Sequence, residues 1–372
     1  MWSRIRKSTV RTSVSNPQRL SVQQYNAAES KATAQFSIPL LMAFRPVTFD
    51  NVGWPTRIAS ETELLRYVDH NFEPEVTAMF KPNAEFSPIG YRNAFTLDEQ
   101  ALITTVRDRV AALTESALGR RIRPVSNLLV QSGPFRMIEQ LARAFERQQI
   151  SIFEVGPGAG YLGALLAHAG HRYLSYDVTQ SIYVWQSWLL HAVAGADFME
   201  LAGLEGSSDE RAALASGRVV HLPWWTYANF LGGTSVRTDV IYSNSNLSEM
   251  TNLALRYVLD ISHHMLAESQ IGLFCFFSKG MPSQTPHERL DSEFEIFGYH
   301  KVFESPFFAY ALKAEQGVQL KKAFANGIES YNPSGRSALV DAKDVVPLLR
   351  AEAPLDVQIT QWLHGWQPPF TD

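Results

Sequence analysis

Short apolar runs alternate with amphipathic helical runs between residues 151 and 312, which predicts an α/β fold. Two further features specify the arrangement: a glycine-rich turn follows the first apolar run, and the second apolar run ends in an aspartate. Strands that alternate with helices form mostly parallel sheets covered on both faces. The sequence therefore predicts a Rossmann-like, mostly parallel seven-stranded sheet with helices on both faces, preceded by an N-terminal helical region.

The strands are predicted from short runs rich in β-branched and aromatic residues. They cover residues 151–155, 172–176, 218–221, 239–242 and 271–277, with a closing pair within 294–303 and 307–312. After the second strand, apolar side chains at helical spacing predict a helix with a heavy apolar face: Ile182, Trp185, Trp188 and Leu189. The stretch 203–217 is polar and rich in Gly and Ser, so we expect a loop or a short helix there.

Three further segments surround this domain, which we place at residues 129–315. Residues 1–35 are basic and lack apolar periodicity, which favours a disordered tail, although an Arg- and Ser-rich start also resembles an organellar transit peptide. Residues 36–128 are expected to form a helical lid region, in which Thr96-Leu-Asp-Glu99 has capping-box spacing and Gly119 ends the helix. Aromatic residues in the extension 316–372 are expected to pack on the body or on a second subunit.

The most informative motif is the turn Glu154-Val-Gly-Pro-Gly-Ala-Gly160, between the first strand and its helix. Glycines let the backbone approach a ligand closely and adopt torsions that side chains forbid. Asp177 follows about twenty residues later, at the end of the second strand, where a carboxylate can bind both hydroxyls of a ribose. The sequence therefore predicts a nucleoside-bearing cofactor at the carboxyl ends of these strands.

Two cofactors suit this turn. Gly158, Gly160 and Gly163 satisfy the G-x-G-x-x-G spacing of dinucleotide-binding folds. However, Glu154 would repel a pyrophosphate, and Pro157 removes one amide donor from the turn. The acid at the strand end favours S-adenosylmethionine over NAD, and both stay open at this point.

The run Phe153-Glu-Val-Gly-Pro-Gly-Ala-Gly-Tyr-Leu-Gly163, with Tyr176-Asp-Val-Thr-Gln180, resembles the class I S-adenosylmethionine-dependent methyltransferases. The stretch Ser181–Leu190 and the run Asn244-Ser-Asn-Leu-Ser-Glu-Met250 are similar to the sugar O-methyltransferases within that superfamily. The resemblance covers roughly residues 130 to 315. It implies S-adenosylmethionine as cofactor and a hydroxyl of a sugar or another small metabolite as acceptor.

Cofactor contacts are expected where the strands end at one edge of the sheet. The expected residues are Glu154, Gly156, Pro157, Gly158, Gly160, Tyr161, Asp177, Val178, Trp224 and Asn244. Trp224 could stack on the purine or on a sugar ring, or it could anchor the sheet. Asn244 could orient a substrate hydroxyl, or it could only end the fourth strand.

Two residues are candidates for the general base. Glu249 could take a proton from the acceptor hydroxyl, although Asn246-Leu-Ser-Glu249 also has the spacing of a helix cap. His287, in the loop after the fifth strand, could do so because histidine titrates near neutral pH, or it could be a surface residue without a partner.

The composition indicates an ordinary globular protein without a nucleic-acid-binding charge. Of the 372 residues, 45% are hydrophobic and 19% charged, and the formal net charge is −4. The single cysteine, Cys275, cannot form an internal disulfide or a thiolate metal site, so a cytoplasmic location is expected. No apolar run approaches the length of a membrane span, and no His, Asp or Glu spacing predicts a metal.

The glycine turn, Asp177 and the family resemblance together predict methyl transfer by direct in-line displacement, and the hydroxyl acceptor is what the resemblance implies. The alternatives are an NAD(P)-dependent oxidoreductase, a methyltransferase for a protein, another amine or a nucleic acid, and a methyltransferase-fold regulatory subunit without activity. The sequence does not carry the Asn/Asp-Pro-Pro-aromatic turn after the fourth strand, which argues against amino-group chemistry on bases. A small-molecule substrate and a homo-oligomer are the partners we expect.

Overall fold

The computed structural model describes residues 19–44, 56–66, 68, 97–119, 121, 128, 131–280, 284–304 and 307–330. The first eighteen residues of the predicted tail, the predicted cap at Thr96 and the extension beyond residue 330 lie outside these ranges. The described elements follow each other as an alternation of strands and helices from residue 132 onwards.

One sheet of eight strands forms the centre of the molecule, in the order β3-β4-β2-β1-β5-β6-β8-β7. The strands are β1 (Ser151–Val155), β2 (Arg172–Asp177), β3 (Phe198–Glu200), β4 (Val219–Pro223), β5 (Val240–Tyr242), β6 (Leu273–Phe276), β7 (His300–Phe303) and β8 (Phe308–Ala311). Strands β1 to β6 pair in parallel, and β8 pairs antiparallel with both β6 and β7. The mostly parallel sheet is confirmed, with β8 as the reversed strand.

The helices cover both faces of the sheet. They are α1 (Val22–Thr33), α2 (Ile38–Phe44), α3 (Leu97–Leu118), α4 (Ser132–Ala144), α5 (Tyr161–Ala169), α6 (Gln180–Ala194), α7 (Ser208–Ser216), α8 (Trp224–Ala228), α9 (Asn252–Leu266), α10 (His287–Ile296) and α11 (Ala314–Ser330). None of the helices in the described ranges has both the length and the apolar content that crossing a membrane requires.

Successive side chains of β1 pack on opposite faces of the sheet. The Phe153 ring stacks with Tyr227 of α8, whereas the adjacent Glu154 accepts a hydrogen bond from Tyr173, whose ring packs against α5. Successive side chains of a strand point to opposite faces, so α5 and α8 lie on opposite sides of the sheet. Both faces of β1 are buried, as expected for the central strand of such a sheet.

The prediction of seven strands is wrong by one, because β3 pairs with the outer edge of β4. This strand has three residues, too few to show an apolar pattern, and the pairing partner that forms it lies about twenty residues away. The predicted strand across 294–303 is also wrong in its first half. Phe294 belongs to α10 and is buried there, stacked on Tyr310 of β8, and the strand begins only at His300.

The prediction of a disordered tail over residues 1–35 is wrong for the part that the structure describes. Helix α1 begins after Ser21, whose hydroxyl accepts a hydrogen bond from the Gln24 amide in a capping box. Val22 and Tyr25 are fully buried, and the Trp188 indole donates a hydrogen bond to the Leu20 carbonyl at 2.8 Å. These contacts join residues far apart in the chain, so the weak apolar periodicity of the segment did not indicate them.

The packing of α5 on the sheet depends on Gly163. A Cβ at this position would lie 2.3 Å from the Tyr173 ring, well inside the contact distance of real atoms. The third glycine of the G-x-G-x-x-G spacing therefore has a packing role, because it admits the Tyr173 ring between helix and sheet. Tyr173 is fully buried and has little room to move.

We expect Gly163→Ala to lower the free energy of unfolding by about 2 kcal/mol, as overpacked core substitutions do. A glycine-to-alanine change within a helix usually raises the free energy of unfolding by roughly 1 kcal/mol, so the loss expected here has the opposite sign. Gly317→Ala in α11 is the matched control, because a Cβ there meets its nearest neighbour at an ordinary 3.6 Å. Urea denaturation measures both, and equal stability of the two variants would contradict the packing role of Gly163.

Candidate functional site

The glycine turn lies at the point where the direction of the chain through the sheet reverses. From β1 the chain continues to β2 on one side, and it later returns to β5 on the other side. In open parallel sheets the crevice for a ligand forms at this position, beyond the carboxyl ends of the strands. Residues Gly156 to Ala159 of the turn are half-buried, so part of its backbone is accessible.

The turn has a backbone that only glycine adopts readily. Gly156, Gly158 and Gly160 have φ angles of 65°, 58° and 78°. Helix α5 begins directly after Gly160, and Tyr161 is buried at its first position. The positive φ angles thus explain why glycine occupies all three predicted positions. The contacts of Pro157 and Tyr161 with a cofactor stay predictions.

Asn246 fixes the start of this turn. Its side-chain amide donates hydrogen bonds to the Val155 carbonyl at 2.8 Å and the Gly156 carbonyl at 3.3 Å, and its Oδ1 accepts one from the Ser243 hydroxyl at 2.6 Å. A Cβ at Gly156 would lie 2.2 Å from the Asn246 Nδ2 atom. Sequence reasoning selected Asn244 from the same run and missed Asn246.

Asn244 joins two loops at the carboxyl edge. Its Oδ1 accepts hydrogen bonds from the backbone amides of Phe277 and Ser278, at 2.9 and 2.7 Å. The side chain therefore connects the loop after β5 with the loop after β6. Its predicted contact with the cofactor or a substrate hydroxyl stays a prediction.

Glu154 is buried at the end of β1, in the layer between the sheet and α5. The Tyr173 hydroxyl donates a hydrogen bond to Glu154 Oε2 at 2.6 Å. Burial raises the pKa of Glu154 to about 8, and the nearby charge of Asp177 acts in the same direction, while the Tyr173 hydrogen bond opposes both. Near neutral pH, a substantial share of this carboxyl group is therefore protonated.

Asp177 is held at the end of β2 by groups of the following segment. The Thr179 amide donates to Asp177 Oδ1 at 2.8 Å, and the Gln186 side chain donates to Oδ2 at 3.2 Å. Burial raises the pKa of Asp177 to about 6, although these hydrogen bonds lower it. Val178, also predicted as a contact, is half-buried beside it.

Gln186 connects Asp177 with the glycine turn. Its Nε2 also donates to the Gly158 carbonyl at 2.6 Å, so one amide group contacts both predicted cofactor elements. Within the described residues, the buried Gln186 Oε1 has no hydrogen-bond partner. A buried acceptor without a partner is uncommon and calls for a donor from outside these residues.

Trp224 lies under the N-terminal helices. It is fully buried, its Nε1 donates to Glu29 Oε1 at 2.8 Å, and its ring stacks on Phe44 of α2 with the planes 15° apart. These contacts agree with the alternative that this tryptophan anchors neighbouring elements. Stacking of Trp224 on a purine stays a prediction.

Acidic side chains gather where β2, β3 and β4 end. The Tyr183 hydroxyl donates to Glu200 Oε1, and the Trp225 indole donates to Glu205 Oε1 at 2.6 Å. Burial raises the pKa of Glu200 to about 7. Glu29 of α1 is buried at the same edge, where Arg57 binds it in a bidentate ion pair. Within the described ranges, no three His, Cys, Asp or Glu side chains are arranged to hold a metal ion.

The two candidates for a general base are brought to neighbouring positions. Glu249 ends a short 3₁₀ helix, Leu247–Glu249, and His287 Nε2 lies 3.2 Å from the hydroxyl of the adjacent Ser248 and 2.8 Å from the Gly280 carbonyl. The alternative of a histidine without a partner is therefore wrong. The Asn246 side chain does not cap this turn and binds the end of β1 instead, while a capping role of Glu249 stays a prediction.

No protein-family model matches the chain, and no curated protein matches it either. Solved structures that are similar to it include three methyltransferases. A magnesium protoporphyrin IX methyltransferase from Synechocystis PCC 6803 with bound S-adenosylmethionine is 11% identical, with a TM-score of 0.31, and the match covers 59% of this chain and 97% of that one.

A TehB-like methyltransferase from Corynebacterium glutamicum is 12% identical with a TM-score of 0.32, over 50% of this chain and 99% of that one. A Podospora anserina methyltransferase bound to S-adenosylhomocysteine is 10% identical with a TM-score of 0.32, over 66% and 97%. Likenesses this low carry no weight for function, so the site is interpreted from its own geometry. The sugar O-methyltransferase resemblance stays a prediction.

The raised pKa of Glu154 has a consequence for stability. In the unfolded chain the pKa lies near 4.5, and in the fold it is about 8, so folding favours the protonated form. The stability that this group contributes is complete below about pH 4.5 and is lost as the pH rises through about 8. Glutamine at position 154 stays neutral and still accepts a hydrogen bond from Tyr173. We therefore expect the Tm of Glu154→Gln to exceed that of the wild type by an amount that grows between pH 5 and pH 9.

Thermal unfolding measured by fluorescence at five pH values across this range tests the expectation. The exposed Glu295→Gln is the matched control and should show no such trend. A Tm difference between Glu154→Gln and the wild type that does not change with pH would mean that Glu154 does not titrate in this range.

Proposed function

We propose that this chain is an S-adenosylmethionine-dependent methyltransferase that acts on a hydroxyl group of a small molecule. The observation that supports the proposal most is the pairing of the glycine turn with two buried carboxyl groups, Glu154 and Asp177, at the reversal point of a parallel sheet. The turn offers accessible backbone, and Asp177 beside it carries a negative charge at neutral pH.

The charge around the turn favours a cationic cofactor over a dinucleotide. Glu154 and Asp177 interact electrostatically, and Glu29 and Glu200 are buried or half-buried at the same edge. A pyrophosphate would add two negative charges beside Asp177, whose pKa of about 6 leaves it mostly ionised at neutral pH, and would also oppose the ionisation of Glu154. Pro157 also leaves the turn one amide short of a full phosphate-binding loop. A sulfonium cofactor with an amino group has the opposite charge.

The residues present suit each part of such a cofactor. Asp177 would accept hydrogen bonds from the ribose hydroxyls, because each oxygen of a carboxylate can accept more than one hydrogen bond. Gly156 to Gly160 would lie along the amino-acid portion, with Gln186 fixing the Gly158 carbonyl. When bound, S-adenosylmethionine supplies an electrophilic methyl group. The protein then has to position the acceptor and exclude water.

His287 is our candidate for the group that accepts the proton of the acceptor hydroxyl. Both of its hydrogen-bond contacts in the described residues use Nε2, and the Gly280 carbonyl requires a proton on that nitrogen. The neutral ring then has its lone pair on Nδ1. Glu249 lies next to Ser248 and could orient the same hydroxyl.

We propose a sugar hydroxyl as acceptor on the strength of the sequence resemblance.

Calorimetric titration of the full chain with S-adenosylhomocysteine, S-adenosylmethionine and NAD tests the cofactor assignment. We expect micromolar binding of both sulfur nucleosides and none of NAD, because the ionised Asp177 would repel the pyrophosphate and Pro157 leaves the turn one amide short of a phosphate-binding loop. Binding of NAD alone would replace the proposal with an oxidoreductase. Binding of the sulfur nucleosides with no methyl transfer to any of a panel of sugars and other hydroxyl compounds would favour the inactive regulatory subunit.

We expect Asp177→Asn to weaken S-adenosylhomocysteine binding about 10- to 100-fold, because hydrogen bonds to a charged group contribute about 1.5–3 kcal/mol. Asp197→Asn, which removes an exposed ion pair with Arg218, is the matched control and should bind like the wild type. Circular dichroism confirms that both variants are folded. Unchanged affinity in folded Asp177→Asn would contradict the assigned role of this carboxylate.

A further inference from the structure

Helix α1 crosses the edge of the sheet where β2 and β4 end. The Gln180 side chain at the start of α6 donates a hydrogen bond to Asn26 Oδ1, and Glu29 accepts one from Trp224 at the start of α8. The Val22 amide at the start of α1 donates to Glu61 at 2.7 Å. The contacts of Asn26 and Glu29 thus hold α1 against the edge at which we place the cofactor, and Val22 connects its start to a neighbouring N-terminal segment.

Tyr25 lies at the inner side of this helix and is fully buried. Its ring centroid is 5.1 Å from that of Tyr183 on α6 and 5.1 Å from that of Trp225 on α8. Within the part of the chain that the structure describes, its hydroxyl has no hydrogen-bond partner. Buried tyrosine hydroxyls usually find a partner, so this one requires an explanation.

The surroundings of the hydroxyl place it at the candidate site. Its electrostatic neighbours are Glu29, Arg57, Asp177 and Glu200, that is, groups at the ends of β2 and β3 and the ion pair of α1. Asp177 is the residue that we assign to the ribose. Asn26, the next residue of α1, accepts a hydrogen bond from Gln180, three residues beyond Asp177, so Tyr25 lies at the ends of the same strands as the ribose site that we assign.

Packing alone does not account for the hydroxyl. A phenylalanine would fill the same space between Tyr183 and Trp225 without leaving a buried polar atom unpaired, which is costly in a protein interior. A hydroxyl both donates and accepts, as the ribose oxygens and purine nitrogens of a nucleoside require. The cost to the free protein would be recovered when a ligand supplies the missing partner.

We propose that the Tyr25 hydroxyl is a cofactor-binding group that forms a hydrogen bond with the nucleoside portion of the cofactor, beside Asp177. The inference rests on the proposed function and adds a residue of the N-terminal helix to the site. It makes α1 part of the binding site, in a segment that the sequence alone predicts to be a tail.

The test is Tyr25→Phe in the full chain, which removes one oxygen atom and keeps the ring contacts. Two measurements are made: the Tm of the free protein, and the Kd for S-adenosylhomocysteine by calorimetry. We expect a Tm equal to or higher than that of the wild type, together with a Kd raised about 5- to 10-fold. A merely structural hydroxyl would change the two quantities in the other way, lowering the Tm and leaving the Kd alone.

Tyr299→Phe is the matched control. Its hydroxyl is also buried but donates to the Leu259 carbonyl at 3.3 Å, so its loss should lower the Tm and leave the Kd unchanged. Adenosine is titrated as a second ligand, and we expect Tyr25→Phe to weaken it by the same factor. A loss for S-adenosylhomocysteine without a loss for adenosine would overturn the assignment to the nucleoside.

The outcomes separate the two proposals. If the wild type binds S-adenosylhomocysteine and Tyr25→Phe binds it equally well, the role of Tyr25 is overturned and the proposed function stands. If the wild type binds neither S-adenosylhomocysteine nor adenosine, the proposed function is overturned and the role of Tyr25 with it.

Discussion

The burial of two carboxyl groups at neighbouring strand ends is the constraint on which the rest of this site depends. Neither Glu154 nor Asp177 is exposed by more than 5%, and the charge of Asp177 raises the cost of ionising Glu154. A buried carboxyl group is costly unless it accepts hydrogen bonds, and each of these two accepts one from a side chain of another element. Tyr173 of β2 donates to Glu154, and Gln186 of α6 donates to Asp177 together with the Thr179 amide.

These donors in turn determine local structure. The Tyr173 ring can reach Glu154 only because position 163 lacks a side chain. The packing of α5 on the sheet is therefore linked to the hydrogen bond that Tyr173 donates to Glu154. Gln186 reaches Asp177 from α6 and holds the glycine turn with the same amide. The position of two helices and the shape of the turn are thus tied to the two carboxyl groups.

The sequence predicted what depends on neighbouring residues and missed what depends on distant ones. Strands β1, β2 and β4 to β6 were predictable, because apolar runs and a glycine turn are local patterns. Strand β3 was missed, since it exists through its pairing with β4. Helix α1 was missed as well, because buried contacts such as that between Glu29 and Trp224 join residues almost two hundred positions apart.

The residues of the site also divide into those that a local pattern predicts and those that depend on distant contacts. Glu154, the three glycines and Asp177 were found by motif spacing, and the structure brings them to one edge of the sheet. Asn246 was missed in favour of Asn244, because two asparagines two residues apart in a turn look alike until the backbone fixes their directions. Only the fold shows that Asn246 reaches the end of β1, whereas Asn244 reaches the loop after β6.

Three buried polar atoms near the ends of β2 and β3 are without hydrogen-bond partners in the described residues. In the described residues, Tyr25 Oη, Gln186 Oε1 and Glu200 Oε2 are buried without partners, and all three lie near the ends of β2 and β3. A protein that only needed stability would replace such groups with apolar ones, because an unpaired buried polar atom costs free energy. Other buried polar atoms in the described residues also lack hydrogen-bond partners, so the position of these three, and not their number, is what would suit a polar ligand, which needs donors and acceptors held in place before it binds.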